Sequence, residues 1–183
     1  MQLQTLQDLF DHEISDLHSA ETQLLVALPK MAQAASNDQL RTAFEHHYEE
    51  TQDHVRRLDE IRGQIGQTVG SAQTVGTAQT VGSAVPEGCE AMRGLIKEGN
   101  EVVSAIGDPS VKDAALISAA QRVEHYEIAA YGTARTLADE LDLPEAKDLL
   151  DQTLDEESSA DKLLTKIATG GMFKAGINQQ ARV

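Results

Sequence analysis

Tryptophan is absent from this sequence, and phenylalanine and tyrosine occur three times each, so aromatics supply only 3% of its 183 residues. With hydrophobic residues at 40%, the core must come mostly from leucine, alanine, isoleucine and valine, a composition suited to close-packed helices. Basic residues are also scarce: 15 Lys and Arg stand against 30 Asp and Glu, a formal net charge of −15. That balance argues against a nucleic-acid partner, whose phosphates need a basic surface. It argues equally against docking on anionic membranes and favours attraction of cations. The single cysteine, Cys89, cannot form an internal disulfide and fits a reducing compartment. No stretch approaches the ~20 apolar residues that span a bilayer. Residues 1–10 lack the basic segment and apolar run of a signal peptide. A soluble, cytoplasmic protein with one domain is expected.

What is present is helical periodicity. Leu3, Leu6, Phe10, Leu17, Leu24, Leu28 and Met31 recur three or four apart and predict a first helix to about Ala35, kinked or briefly broken at Pro29. Ser36-Asn37-Asp38 is a turn with N-cap side chains. The second helix runs from about Asp38 to Ile65, with Leu40, Phe44, His47, Thr51, His54, Leu58 and Ile61 on one face. A tandem hexapeptide follows: Thr68-Val-Gly-Ser-Ala-Gln73, Thr74-Val-Gly-Thr-Ala-Gln79 and Thr80-Val-Gly-Ser-Ala84. Its glycines and β-branched residues disfavour helix, so a flexible loop is expected over 66–86. Pro86 opens a short helix to about Ile106, and Gly107-Asp108-Pro109 ends it. The third long helix spans about Ser110 to Leu141, and Asp142-Leu143-Pro144 turns into the fourth, about Glu145 to Ala168. Gly170-Gly171 stops that helix, and residues 171–183 read as a polar, mobile tail.

Two helical hairpins joined by a long crossover with its own helix are wired as in ferritin-like bundles. The expected fold is therefore all-α: a ferritin-like four-helix bundle over residues 1–170, with a long crossover carrying an extra short helix.

Each long helix carries an acidic residue on its apolar stripe. At about 100° per residue, Glu21 lies among Leu17, Leu24 and Leu28. Glu124 and Glu127 lie with Ile117, Ala120, Tyr131 and Ala134, and Glu157 with Leu150, Thr153 and Leu164. Glu50 sits on one edge of its stripe, with His47 and His54 nearer the centre; Asp161 is at an edge, and Glu156 faces the flank. Burying such groups is costly unless something positive meets them. Two metal ions shared by four helices are the simplest candidate. The expected ligands are Glu21, Glu50, His54, Glu124, Glu127, Glu157 and Asp161, with His47 a lesser alternative. Carboxylate with imidazole suits iron, and manganese is a second option. The expected chemistry is oxidation of Fe²⁺ by oxygen or peroxide. The usual Glu-x-x-His spacing is absent, since helix three carries Glu-x-x-Glu.

At these residues the chain resembles the YciF-like stress proteins, a ferritin-like family. The match is carried by Ser19-Ala-Glu-Thr-Gln-Leu24, Glu49-Glu50-Thr51 and Cys89-Glu-Ala-Met-Arg-Gly-Leu-Ile96. It continues through Gln121-Arg-Val-Glu-His-Tyr-Glu-Ile128 to Tyr131-Gly132-Thr133, then Thr153-Leu-Asp-Glu-Glu157 with Asp161. The resemblance covers roughly residues 3 to 168 and implies a four-helix bundle, a homodimer, induction under stress and a di-metal centre. The Thr-Val-Gly repeats depart from the family pattern. The alternative is a non-catalytic helical scaffold whose metal site is vestigial or structural, its acids paired with Arg122 or the histidines. A storage cage is a third reading, and nothing in the sequence encodes its assembly.

Overall fold

A computed structural model describes residues 3–72, 88–171 and 174–182. It is an all-α bundle: α1 (Leu6–Ala34), α2 (Asp38–Ala72), α3 (Glu90–Val103), α4 (Pro109–Glu140), α5 (Pro144–Thr169) and α6 (Ile177–Gln180). Two-residue strands, β1 (Gly170–Gly171) and β2 (Lys174–Ala175), pair antiparallel between α5 and α6.

The ends of the helices are set by local chemistry. Thr5 opens α1 with a capping box: its hydroxyl accepts from the Asp8 amide at 3.0 Å while Asp8 accepts from the Thr5 amide at 2.9 Å. Pro29 lies inside α1 without ending it. It sits on the exposed face, where water can meet the carbonyl it leaves free. Asn37 caps α2 by accepting from the Gln39 and Leu40 amides. Asp108 caps α4, with Pro109 in its first turn. The α4–α5 turn passes through Asp142 at φ 54°, a left-handed conformation that aspartate tolerates better than most residues.

The long helices are wired as expected. Short turns join α1 to α2 and α4 to α5. Ser36 meets Asp113, and Glu21 meets Tyr131, so α1 and α4 run antiparallel and α4 lies parallel to α2. The buried Asp113 clamps the α1–α2 turn, accepting from the Ser36 and Asn37 amides at 2.8 Å each. α3 packs on α1 and α4.

Two boundaries differ from the sequence expectation. α2 continues past Ile65 to Ala72, into the first repeat; the rest of the repeats lies outside the described residues. α3 is shorter at both ends, because Cys89 is its cap and Ser104 its terminus. The expected polar tail also holds structure. Ile177 is 2% exposed in the core, held there by the β1–β2 pair. Gly176 makes this docking possible: a Cβ there would fall 2.3 Å from the Gly170 nitrogen.

The apolar core is divided in two. One cluster gathers Leu24, Leu28, Leu40, Phe44, Leu116 and Leu164; the other gathers Phe10, Ile14, Leu17, Leu58, Tyr131 and Leu150. Between them, at the same level on all four long helices, the inward residues turn polar: Glu21, His47 to His54, Glu124 to Glu127, and Thr153 to Glu157.

Candidate metal centre

The polar layer forms because the stripes of four helices change character at the same height. α1 contributes Glu21, α2 His47 and His54, α4 Glu124 and Glu127, and α5 Glu157. All six are buried, Glu21, His54, Glu127 and Glu157 completely. Their ligating atoms fall into two groups, each within 4.8 Å: His47, Glu124, Glu127 and Glu157; and Glu21, His54 and Glu157. Glu157 belongs to both. One of its oxygens, Oε1, is 3.0 Å from His54 Nδ1, and the other, Oε2, is 3.6 Å from His47 Nε2. Oε2 of Glu124 is also 3.6 Å from His47 Nε2, and Oε1 of Glu21 is 3.2 Å from His54 Nδ1. The Tyr131 hydroxyl donates to Glu21 Oε1 at 2.6 Å.

Each imidazole has an inner and an outer side. His54 turns Nδ1 toward Glu21 and Glu157, while Nε2 lies 2.9 Å from Glu156 Oε2. Glu156 is held by Arg57, which also donates to Thr153 Oγ1 at 3.0 Å. His47 turns Nε2 inward, and its Nδ1 is 3.5 Å from Glu50 Oε2. The Glu156 carboxylate fixes which His54 nitrogen faces the site, the usual arrangement behind a metal-bound histidine.

Hydrogen bonding leaves this layer unsatisfied. Among the described residues, the buried side-chain polar atoms without a hydrogen-bond partner include both oxygens of Glu127 and Glu157, both nitrogens of His47, Glu21 Oε2, His54 Nδ1 and Glu124 Oε2. Only Arg135 Nε falls outside the six residues. Buried polar atoms are normally satisfied, so such a concentration in one place fits a cation binder. Two divalent cations would neutralise Glu21, Glu124, Glu127 and Glu157 with both imidazoles neutral. Oxygen-rich donors with two nitrogens suit iron or manganese.

Without a cation, the layer compensates with protons. Burial lowers the His47 pKa, but Glu124, Glu157 and Glu50 outweigh it and bring it up to about 10. Burial likewise opposes charge on His54, which Glu156, Glu157 and Glu21 raise to about 12. Burial pushes the Glu124 carboxyl up against the pull of His47. Burial pushes Glu127 up too, with Glu21, Glu157 and Glu124 adding to it. Burial raises Glu157 as well, but His47 and His54 prevail and hold its pKa down. The bond from His54 and the Arg57 guanidinium keep Glu156 at about 2 against its partial burial.

The structure brings Glu21, His54, Glu124, Glu127 and Glu157 together. Glu50 stands at the margin, its side chain 25% exposed between His46 and His47. Asp161 lies apart: it accepts from Gln121 Nε2 at 2.9 Å and is 3.3 Å from His125 Nε2. Four residues advance a helix about 40° beyond a full turn, and that offset turns Asp161 out to the α4–α5 seam. Arg122 is also outside the layer, near Glu98. His47, given a lesser place from sequence, stands in the layer. The Arg57–Glu156 pair was not anticipated; its one sequence signal is that Arg57 falls three residues after His54 on the same side of α2.

A family profile described as Domain of unknown function (DUF892) matches residues 5–181. Protein YciF of Escherichia coli (strain K12) is 42% identical over 179 residues, 98% of this chain and 99% of the relative. The crystal structure of the E. coli stress protein YciF superposes with a TM-score of 0.73 at 45% identity, covering 89% of this chain and 94% of that one. YcfI from Rhodopseudomonas palustris, a proposed structural protein, gives a TM-score of 0.74 at 37% identity, covering 91% and 96%.

Proposed function

The chain belongs to the DUF892 family of YciF-like proteins, and from that premise we propose that it is a di-metal stress protein. Its buried layer would hold two iron ions, or manganese in their place, and oxidise ferrous iron or reduce peroxide or oxygen. The observation that carries this reading is the set of unsatisfied donors converging from four helices on a shared Glu157.

Iron held there would supply single electrons to oxygen or peroxide. The protein's own residues do the rest. Glu157, with an oxygen facing each group of donors, would serve both positions. Glu124 and Glu127 would supply the remaining oxygen donors of one position, Glu21 that of the other. His47 and His54 must give up their protons before their inner nitrogens can bind, so loading releases protons. Glu156 and Arg57 hold the His54 ring in place, and Tyr131 orients Glu21. The apolar clusters above and below exclude bulk water.

Anaerobic addition of Fe²⁺ followed by air or peroxide tests the reading. About two irons per chain are expected, with ferric absorbance growing faster than in buffer. A Glu124→Ala/Glu157→Ala double variant should lose both properties. Equal iron binding by that variant would overturn the assignment.

The alternative is a non-catalytic scaffold, favoured by the approach of His54 and His47 to Glu157 at 3.0 and 3.6 Å, which pairs imidazole with carboxylate. On that reading iron would add neither stoichiometric binding nor accelerated oxidation.

A further inference from the structure

Glu50 has the residue type of a ligand and the position of a gate. It borders a cavity of about 100 Å³ between α2 and α5. His47 and Glu124 form the inner end of this cavity and are 5% and 3% exposed. His46, Glu50 and Leu163 form the outer end; the His46 side chain is 64% exposed and Leu163 43%. Ala43 and Ala160 line the walls, and their small side chains leave the space open. A cavity this size admits several waters, and His46, His47, Glu50 and Glu124 offer them polar partners.

The donors are spaced as a chain from solvent to layer. Glu50 Oε2 lies 3.1 Å from His46 Nδ1 at the surface and 3.5 Å from His47 Nδ1 beneath it. His47 then reaches Glu124 and Glu157 at 3.6 Å through Nε2. Both His47 nitrogens lack a hydrogen-bond partner, as does Glu124 Oε2.

We propose that this opening is the route by which divalent transition-metal cations enter the buried layer, with His46 and Glu50 as capture ligands. The cation exchanges water for the Glu50 oxygen and a His46 nitrogen at the mouth. It then passes beside His47 to the oxygens of Glu124 and Glu157. The inference rests on the metal reading given above and adds the path to it. Glu50 acts on the rate of loading and not on the final occupancy.

Stopped-flow mixing with Co²⁺, followed by its visible absorbance, separates the two quantities. Ala160→Leu narrows the opening without touching a donor, and Ala43→Leu does so from the facing helix. Either should slow uptake several-fold while leaving about two Co²⁺ per chain at equilibrium. Glu50→Ala should lower the rate by about tenfold through lost electrostatic focusing, with the same final stoichiometry. Circular dichroism confirms that each variant is folded. Unchanged rates in both leucine variants would overturn the route. A cobalt missing at equilibrium from Glu50→Ala would make Glu50 a resident ligand and overturn its capture role. If the wild type takes up no cobalt, iron or manganese, the metal reading falls and the route falls with it; a wild type that loads normally isolates failure of the route alone.

Discussion

Glu127 exposes a conflict between stability and metal binding. It is fully buried, and neither carboxyl oxygen has a hydrogen-bond partner. Burial, with the neighbouring glutamates adding to it, pushes its pKa up, and the carboxyl stays unsatisfied. A buried polar group left without a partner costs about 1–3 kcal/mol. Glu127→Met replaces it with an apolar side chain of similar length, and the metal-free protein should gain roughly that amount. In a domain of this size each kcal/mol moves the melting temperature by about 2–4 °C. The variant should therefore melt several degrees higher than wild type in EDTA. Metal reverses the order. Wild type in Mn²⁺ at about 1,000 times the dissociation constant gains about 4.1 kcal/mol, and the variant, lacking a ligand, gains much less. Glu127→Gln keeps a polar group and should lose the metal response with little change in EDTA. Paired thermal melts by circular dichroism supply the test. A variant less stable than wild type in EDTA, or one with an undiminished Mn²⁺ response, refutes the reasoning.

Arg57→Met should weaken Mn²⁺ binding by about 10–100-fold, measured by titration calorimetry, because Glu156 loses the clamp that orients His54. Asp113→Ala removes two charged hydrogen bonds at the α1–α2 turn. It should cost roughly 3 kcal/mol in denaturant melts without altering metal stoichiometry. In the metal-free protein His47 and His54 are raised from 6.5 to about 10 and about 12. Their contribution to stability is complete below pH 6.5 and is lost as pH rises through those values. EDTA melts should therefore fall between pH 7 and pH 10 more steeply than melts of a His47→Gln/His54→Gln variant. Glu156 is lowered from 4.5 to about 2. Its contribution is present above 4.5 and lost as pH falls toward 2, so Glu156→Gln should flatten the acid limb of the same profile.

The long helices were legible because their inward residues recur at helical spacing and their ends carry Asn37, Asp108 and Pro144. The convergence of Glu21, Glu124, Glu127 and Glu157 was legible for the same reason, since a carboxylate at the centre of a stripe has nowhere to go but inward. Ranking at the stripe edge was not. His47 and Glu50 lie about 60° apart around α2, and only the seating of α2 against α5 decides which turns in. Glu156 was read as a flank residue, and without that seating nothing places Arg57 across from it. The tail escaped because two-residue strands and a four-residue helix are too short to repeat a hydrophobic period. The fit of Gly176 against Gly170 is a tertiary contact that leaves no local trace.

Anomalous diffraction from crystals grown with Mn²⁺ bears most directly on the central claim. The account predicts two peaks about 3.5–4 Å apart, one bounded by His47, Glu124 and Glu127, the other by Glu21 and His54, with Glu157 between them. Absence of both peaks, with these side chains hydrogen-bonded to one another and to water, would contradict it.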